Sequence, residues 1–147
     1  MNRRASSRRG REEGSAAVEA AFVLPLLMLF VIGCIEFGRV LWTYHTMLLA
    51  VEEGGRYAMV YGASPTLLTA ASCPNVGTVN LANCTAARAN TYLANYHGTG
   101  ITATATADAS TPPNMTVSAT YTFNFVTPLL RSYGPINLSS RVIVPSL

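Results

Sequence analysis

The stretch Gly14-Ser15-Ala16-Ala17-Val18-Glu19 decides how the rest of the chain is read, because it joins a basic polar leader to an apolar run over residues 20–35 that carries no further charge. As a helix rising about 1.5 Å per residue, residues 16–35 extend roughly 30 Å, the thickness of a bilayer hydrocarbon core. Glu19 is the anomaly within that span. A carboxylate near the centre of a membrane helix costs roughly 2.5–3.5 kcal/mol on insertion scales, so such a group normally has a partner and a task. Pro25 removes one helix hydrogen bond and predicts a bend, which a membrane segment tolerates.

Working outward, the chain has 147 residues, enough for one small domain plus an anchor, and only 12% are charged, low for a soluble domain. All ten basic residues are Arg, and Arg3, Arg4, Arg8, Arg9 and Arg11 lie before Gly14. Without the leader, Arg39, Arg56, Arg88, Arg131 and Arg141 stand against Glu19, Glu36, Glu52, Glu53 and Asp108. The basic balance is therefore a property of residues 1–14, and nucleic acid is not an expected partner. That leader is too poor in apolar groups to fold alone. Its Arg cluster keeps the N-terminus cytoplasmic and sends everything after the span across the membrane.

Other export signals fit less well. A secretory signal has a shorter apolar region, about 7–15 residues, and a small-x-small cleavage site, which is missing where this run ends at Glu36-Phe37-Gly38-Arg39. Ser7-Arg8-Arg9 contains a twin-arginine pair but lacks the apolar residues that usually follow. Val31-Ile32-Gly33-Cys34 has the general form of a lipobox, which would make Cys34 a lipidated mature N-terminus. The run before it is long for that role and carries Glu19, so Cys34 is expected to be a small buried apolar residue in the helix.

Past the span the helical period continues. Phe37, Leu41, Tyr44, Leu48, Val51, Gly55 and Ala58 recur at three and four residues, with Glu36, Arg39, Thr43, Glu53 and Arg56 largely on other faces. The spacing predicts one helix from Ser15 to Tyr61, roughly 70 Å long, with solvated pairs Glu52–Arg56 and Glu36–Arg39. Gly54-Gly55 weakens it by about 1 kcal/mol per Gly and marks a bend or a close approach. Gly62 and Ser64-Pro65 end it.

The exported part, residues 63–147, predicts a small α+β domain. Cys73 and Cys84 flank a short polar loop on the oxidising side of the membrane, where a disulfide between them would persist. Two Cys without a nearby His pair give no support for a metal site, and no cofactor is expected. Residues 85–97 predict a short helix with an N-cap at Thr85, carrying Ala86, Ala89, Leu93 and Tyr96, and stopping at Gly98. The period then changes to two. Ile101, Ala103, Ala105 and Ala107 form one strand; after a turn at Pro112-Pro113-Asn114, Met115, Val117, Ala119, Tyr121, Phe123 and Phe125 form the clearest one. Ile136, Leu138, Val142 and Val144 give a third. Such a sheet needs a cover on one face, and the amphipathic helix is the candidate. His45 and His97 have no acid near them in sequence, and there is no phosphate loop, nucleophile elbow or paired-carboxylate constellation, so no enzymatic activity and no catalytic residue is expected.

The order Ser15-Ala16-Ala17-Val18-Glu19, Leu24-Pro25-Leu26, Ile35-Glu36-Phe37-Gly38-Arg39, Tyr44-His45 and Glu53-Gly54-Gly55-Arg56-Tyr57 resembles the TadE-like pseudopilin family of the Tad (Flp) tight-adherence pilus. Its start is similar to the processing site of type IV-like prepilins. The resemblance implies cleavage by a prepilin peptidase between Gly14 and Ser15, with Glu19 as the fifth mature residue and the recognition and assembly group. It implies a pilin-like α+β fold, a long N-terminal helix on a small antiparallel sheet with one short extra helix. The implied organisation is a cleaved cytoplasmic leader over residues 1–14, a transmembrane and amphipathic helix over 15–62, and a periplasmic or extracellular domain over 63–147. The partners implied are the peptidase, other Tad pilins and pseudopilins, an inner-membrane assembly platform and membrane lipid. Where major Flp pilins have Tyr after the Glu, this chain has Ala20, which points to a minor component rather than the filament body. The alternative reading is a signal-anchored or lipidated periplasmic binding protein with no filament role.

Overall fold

The computed structural model describes residues 6–73, 76–97, 100–110 and 113–145. The leader residues Arg3 and Arg4, the helix stop at Gly98 and the turn residue Pro112 lie outside them. Helix α1 (Ser6–Gly62) runs for 57 residues with Pro25 inside it. It begins within the leader, which had been expected to stay unfolded. The reason is that Arg and Glu are good helix formers, and extending an existing helix adds a hydrogen bond for each residue fixed. The chain divides into two compact units inside this helix, one ending at Gly38 and the other starting at Arg39.

In the second unit, residues 39–62 of α1 are followed by a 3₁₀ turn (Pro65–Leu67), α2 (Leu81–Tyr96), β1 (Thr102–Ala107), β2 (Asn114–Phe123), the single-turn α3 (Pro128–Arg131) and β3 (Ile136–Pro145). The strands form one antiparallel sheet in the order β1-β2-β3, with Ala103 opposite Ala119 and Val117 opposite Val142. This is the expected α+β class. β2 ends at Phe123, so Phe125 falls in the following loop, where its ring meets Phe123 edge-on with centroids 5.6 Å apart.

α2 begins before the expected Thr85. The Asn80 side chain accepts a hydrogen bond from the Asn83 N–H at 2.8 Å, capping the helix, and Thr85 is buried inside it. Asn outranks Thr as an N-cap, and this start places Leu81 against the core. Asn90 then protects the sheet edge: its amide donates to the Ala103 carbonyl at 2.9 Å and accepts from the Ala103 N–H at 2.7 Å, occupying backbone groups that an edge strand otherwise offers to another chain.

The core face of α1 is the expected one in its last turns, at Val51, Gly55 and Ala58, and departs from it before them. Thr43, Thr46, Met47, Ala50, Val51, Gly54, Gly55 and Ala58 are buried, whereas Phe37, Leu41 and Tyr44 are exposed, and Glu36, expected in a solvated pair, is buried. Small residues face the sheet because the helix approaches closely. A Cβ on Gly54 would lie 3.1 Å from Val117 Cγ1 and 3.2 Å from Ala89 Cβ; one on Gly55 would lie 3.1 Å from Val142 Cγ1 and 3.2 Å from Val144 Cγ1. The glycine pair thus marks a close approach inside a continuous helix. Around it Met47, Ala50, Val51 and Ala58 share one core with Ala89, Leu93, Met115, Val117 and Val144.

The β1–β2 connection is tied by Asp108. Its carboxylate accepts from the Ser110 hydroxyl, from the Asn114 N–H at 2.7 Å and from the Asn114 side-chain amide at 3.0 Å. These bonds, led by the one from Ser110, hold the carboxyl far below its ordinary value of 3.8.

Two expectations follow. Gly55→Leu should lower the melting temperature of the detergent-solubilised protein, because overpacking costs about 1–3 kcal/mol and outweighs the roughly 1 kcal/mol gained in helix propensity. Gly38→Ala, whose Cβ meets nothing within 4 Å, should raise it slightly, by the same roughly 1 kcal/mol of helix propensity. The folded state holds Asp108 ionised while the unfolded chain takes up its proton at higher pH, so its stabilisation is present above 3.8 and is lost as pH falls further. Thermal scans across pH should therefore show Asp108→Ala less stable than wild type at pH 7 and the difference closing below the ordinary carboxylate range.

Candidate functional site

Gly14, Ser15 and Glu19 all lie on α1 and all are exposed. Ser15 and Glu19 are four residues apart, so they share a helix face one turn from each other. A Cβ on Gly14 would meet nothing within 4 Å, so nothing in the folded chain itself requires glycine there. The apolar run is bare: Phe22 is 78% exposed, Leu26 70% and Phe30 71%, and their spacing of four sets them along one stripe. Cys34 continues that stripe and is exposed, not buried as expected. An apolar surface of this extent is stable only in lipid or against other apolar helices. By length and composition α1 can cross a membrane, and among the described residues it is the only such helix.

In the second unit, a recess of about 1070 Å³ opens between α1 and α2, lined by Arg56, Tyr57, Tyr61, Arg88 and the Cys73–Cys84 pair among others. Cys73 and Cys84 form a disulfide with a Cα–Cα distance of 5.3 Å, tying the segment before α2 to its first turn. The Tyr57 hydroxyl donates to the Ser72 carbonyl at 3.3 Å, and its ring stacks on Tyr61 at 4.3 Å. Arg88 donates to the Glu53 carboxylate at 2.9 Å, so the acid that joins the two helices is Glu53.

His97 Nε2 pairs with the Thr43 hydroxyl at 3.0 Å, and His45 is exposed on α1. Among the described residues, no group of three or more His, Cys, Asp or Glu could hold a metal ion. Sequence reasoning missed the contacts that seat α1: Thr43 with His97, Glu53 with Arg88, and the Arg39 guanidinium over the Phe123 ring at 5.2 Å. Their partners are more than thirty residues apart in sequence, and no local pattern links them.

A single exposed apolar helix whose far half builds the core of a small antiparallel-sheet domain defines the class: an α+β domain on a helix long and apolar enough to cross a membrane. Within that class, the family model described as TadE-like protein matches residues 14–56, opening at Gly14 and ending at Arg56. This part of the chain is TadE-like, as the sequence motifs led one to expect. No curated protein and no solved structure matches significantly. The TadE-like match over residues 14–56 supports a Tad pilus-associated, pilin-like protein.

Closing a loop of this length by a disulfide stabilises by about 3 kcal/mol in the chain-entropy model. Cys73→Ser should therefore lower the protease resistance of the second unit, measured by limited proteolysis with and without reductant. Reductant should weaken wild type towards the variant and leave the variant itself unchanged.

Proposed function

We propose that this chain is a minor pilin or pseudopilin of a Tad-type tight-adherence pilus or secretion machine, cut by a prepilin peptidase after Gly14 and assembled through α1. The observation that carries the reading is the lone carboxylate Glu19, five positions after Gly14 on a fully exposed apolar helix, inside the TadE-like match. An unpaired carboxylate there opposes insertion, so its retention calls for a cation. Cleavage supplies one: the new α-amino group of Ser15 has a pKa of about 7.7–8.0 and is largely protonated at neutral pH. One helical turn separates it from Glu19 of the same chain, and packed helices would bring it near Glu19 of a neighbour.

The scissile bond lies within continuous helix, and a peptidase must unwind it to reach the carbonyl. Glycine, the least helix-favouring residue after proline, makes that opening cheaper by roughly 1 kcal/mol. The leader Arg residues hold the N-terminus in the cytoplasm, placing the disulfide-bearing unit in the periplasm of a bacterial cell envelope and, after assembly, in the pilus. The other partners would be fellow Tad pilins and pseudopilins and the inner-membrane assembly platform.

Two variants test this reading separately. Gly14→Val should leave only the larger precursor on an immunoblot, and since a Cβ at position 14 meets nothing within 4 Å among the described residues the loss reads recognition by the peptidase. Normal mature protein would overturn the site, and an intact mass placing the N-terminus at Cys34 would favour a lipidated anchor. Glu19→Gln should insert at least as well but lose co-purification with other pilins by two orders of magnitude or more, since breaking a buried pair costs about 3–5 kcal/mol. Wild-type co-purification would remove the pairing mechanism.

A further inference from the structure

The second unit exposes three apolar side chains in one segment, residues 124–136 between β2 and β3: Val126 is 70% exposed, Tyr133 83% and Ile136 41%. The segment's only charged side chain is Arg131, also exposed. No Asp or Glu follows Asp108, so Arg131 and Arg141 are the only charged side chains in the rest of the chain. Singly exposed apolar residues are ordinary, but this cluster has a particular location.

β2 runs opposite to α1. Gly54 sits on Val117 and Arg39 on Phe123, so about 22 Å of helix is matched by about 20 Å of strand. The chain leaving β2 therefore emerges beside Arg39. The other end of the segment is held there too, because Ile136 is the cross-strand partner of Phe123. Arg39 follows Ile35, the last residue of the apolar run, by four positions. Whatever the angle between the two units, four residues reach about 14 Å at most, and about 6 Å as helix. The headgroup layer extends roughly 5–8 Å beyond the hydrocarbon on each side. Trp42, 63% exposed, lies one turn past Arg39, where interfacial aromatics are enriched.

We propose that residues 124–136 form a second membrane contact, seating Val126, Tyr133 and Ile136 with Arg131 in the headgroup layer of the bilayer that α1 crosses. The proposal rests on reading residues 16–35 as a membrane span. Apolar and aromatic groups with an exposed cation match the chemistry of that layer when it contains anionic lipid, and the acid nearest Arg39 along α1, Glu36, is buried rather than presented to it. The contact would hold the domain against the membrane before assembly, in addition to the single helix.

The test uses the full chain in vesicles of phosphatidylethanolamine and phosphatidylglycerol, with brominated acyl chains as quenchers. Trp42 is the only Trp, so wild type reports the span boundary, and Trp42→Phe with Tyr133→Trp reports the segment at an exposed position. The expected result is quenching by bromolipid at both positions, with protection of position 133 from aqueous iodide and loss of that protection in the added variant Arg131→Glu. Quenching at Trp42 but free iodide access at position 133 overturns the proposal and leaves the span intact. A shielded position 133 without bromolipid quenching means that protein covers the segment, which also overturns it. Absence of bromolipid quenching at Trp42 removes the span reading and the proposal with it.

Discussion

The close seating of Gly54 and Gly55 on Val117, Val142 and Val144 sets the geometry of the second unit. With helix backbone nearly in contact with the sheet's side chains, the rest of the packed half of α1 has its neighbours chosen for it. Towards the N-terminal side, Arg39 covers Phe123, Thr43 meets His97 and Glu53, next to the pair, meets Arg88; towards the C-terminal side, Tyr57 reaches Ser72. Dispersion falls off steeply with distance, so an added methylene at the glycine pair would loosen the contacts along the whole ridge.

One helix thereby serves two solvents. Up to Gly38 its apolar side chains face outward and call for lipid or other helices; from Arg39 onward it supplies a protein core. The buried cluster begins at Met47, so removing the leader at Gly14 would leave it untouched. The domain carries its own safeguards: Asn90 occupies the outer backbone groups of Ala103, Asp108 closes the hairpin and Cys73–Cys84 anchors the entry to α2.

A helix long and apolar enough to cross a membrane, the α+β class, the three strands and the TadE-like motifs were legible in the sequence, because each rests on a local pattern. Twenty residues with a single charge match a bilayer in length, and alternation at period two or near 3.6 reports one buried face. The polar hairpin strand is an example: Thr alternating with Ala over 102–107 needs no tertiary information to be read as a strand with one face in.

Which face of α1 meets the sheet was decided only by the tertiary structure. The spacing pointed rightly to Val51, Gly55 and Ala58 but also to Phe37, Leu41 and Tyr44, where Thr43, Met47, Ala50 and Gly54 are buried instead. Next to a membrane segment a helix has more than one apolar environment, so apolarity alone cannot single out the core face; closeness of packing does, and it selects small residues. The same holds for the start of α2, for the end of β2 before Phe125, and for every contact that joins α1 to the sheet. Those depend on which residues distant in sequence arrive side by side, and no local pattern encodes that.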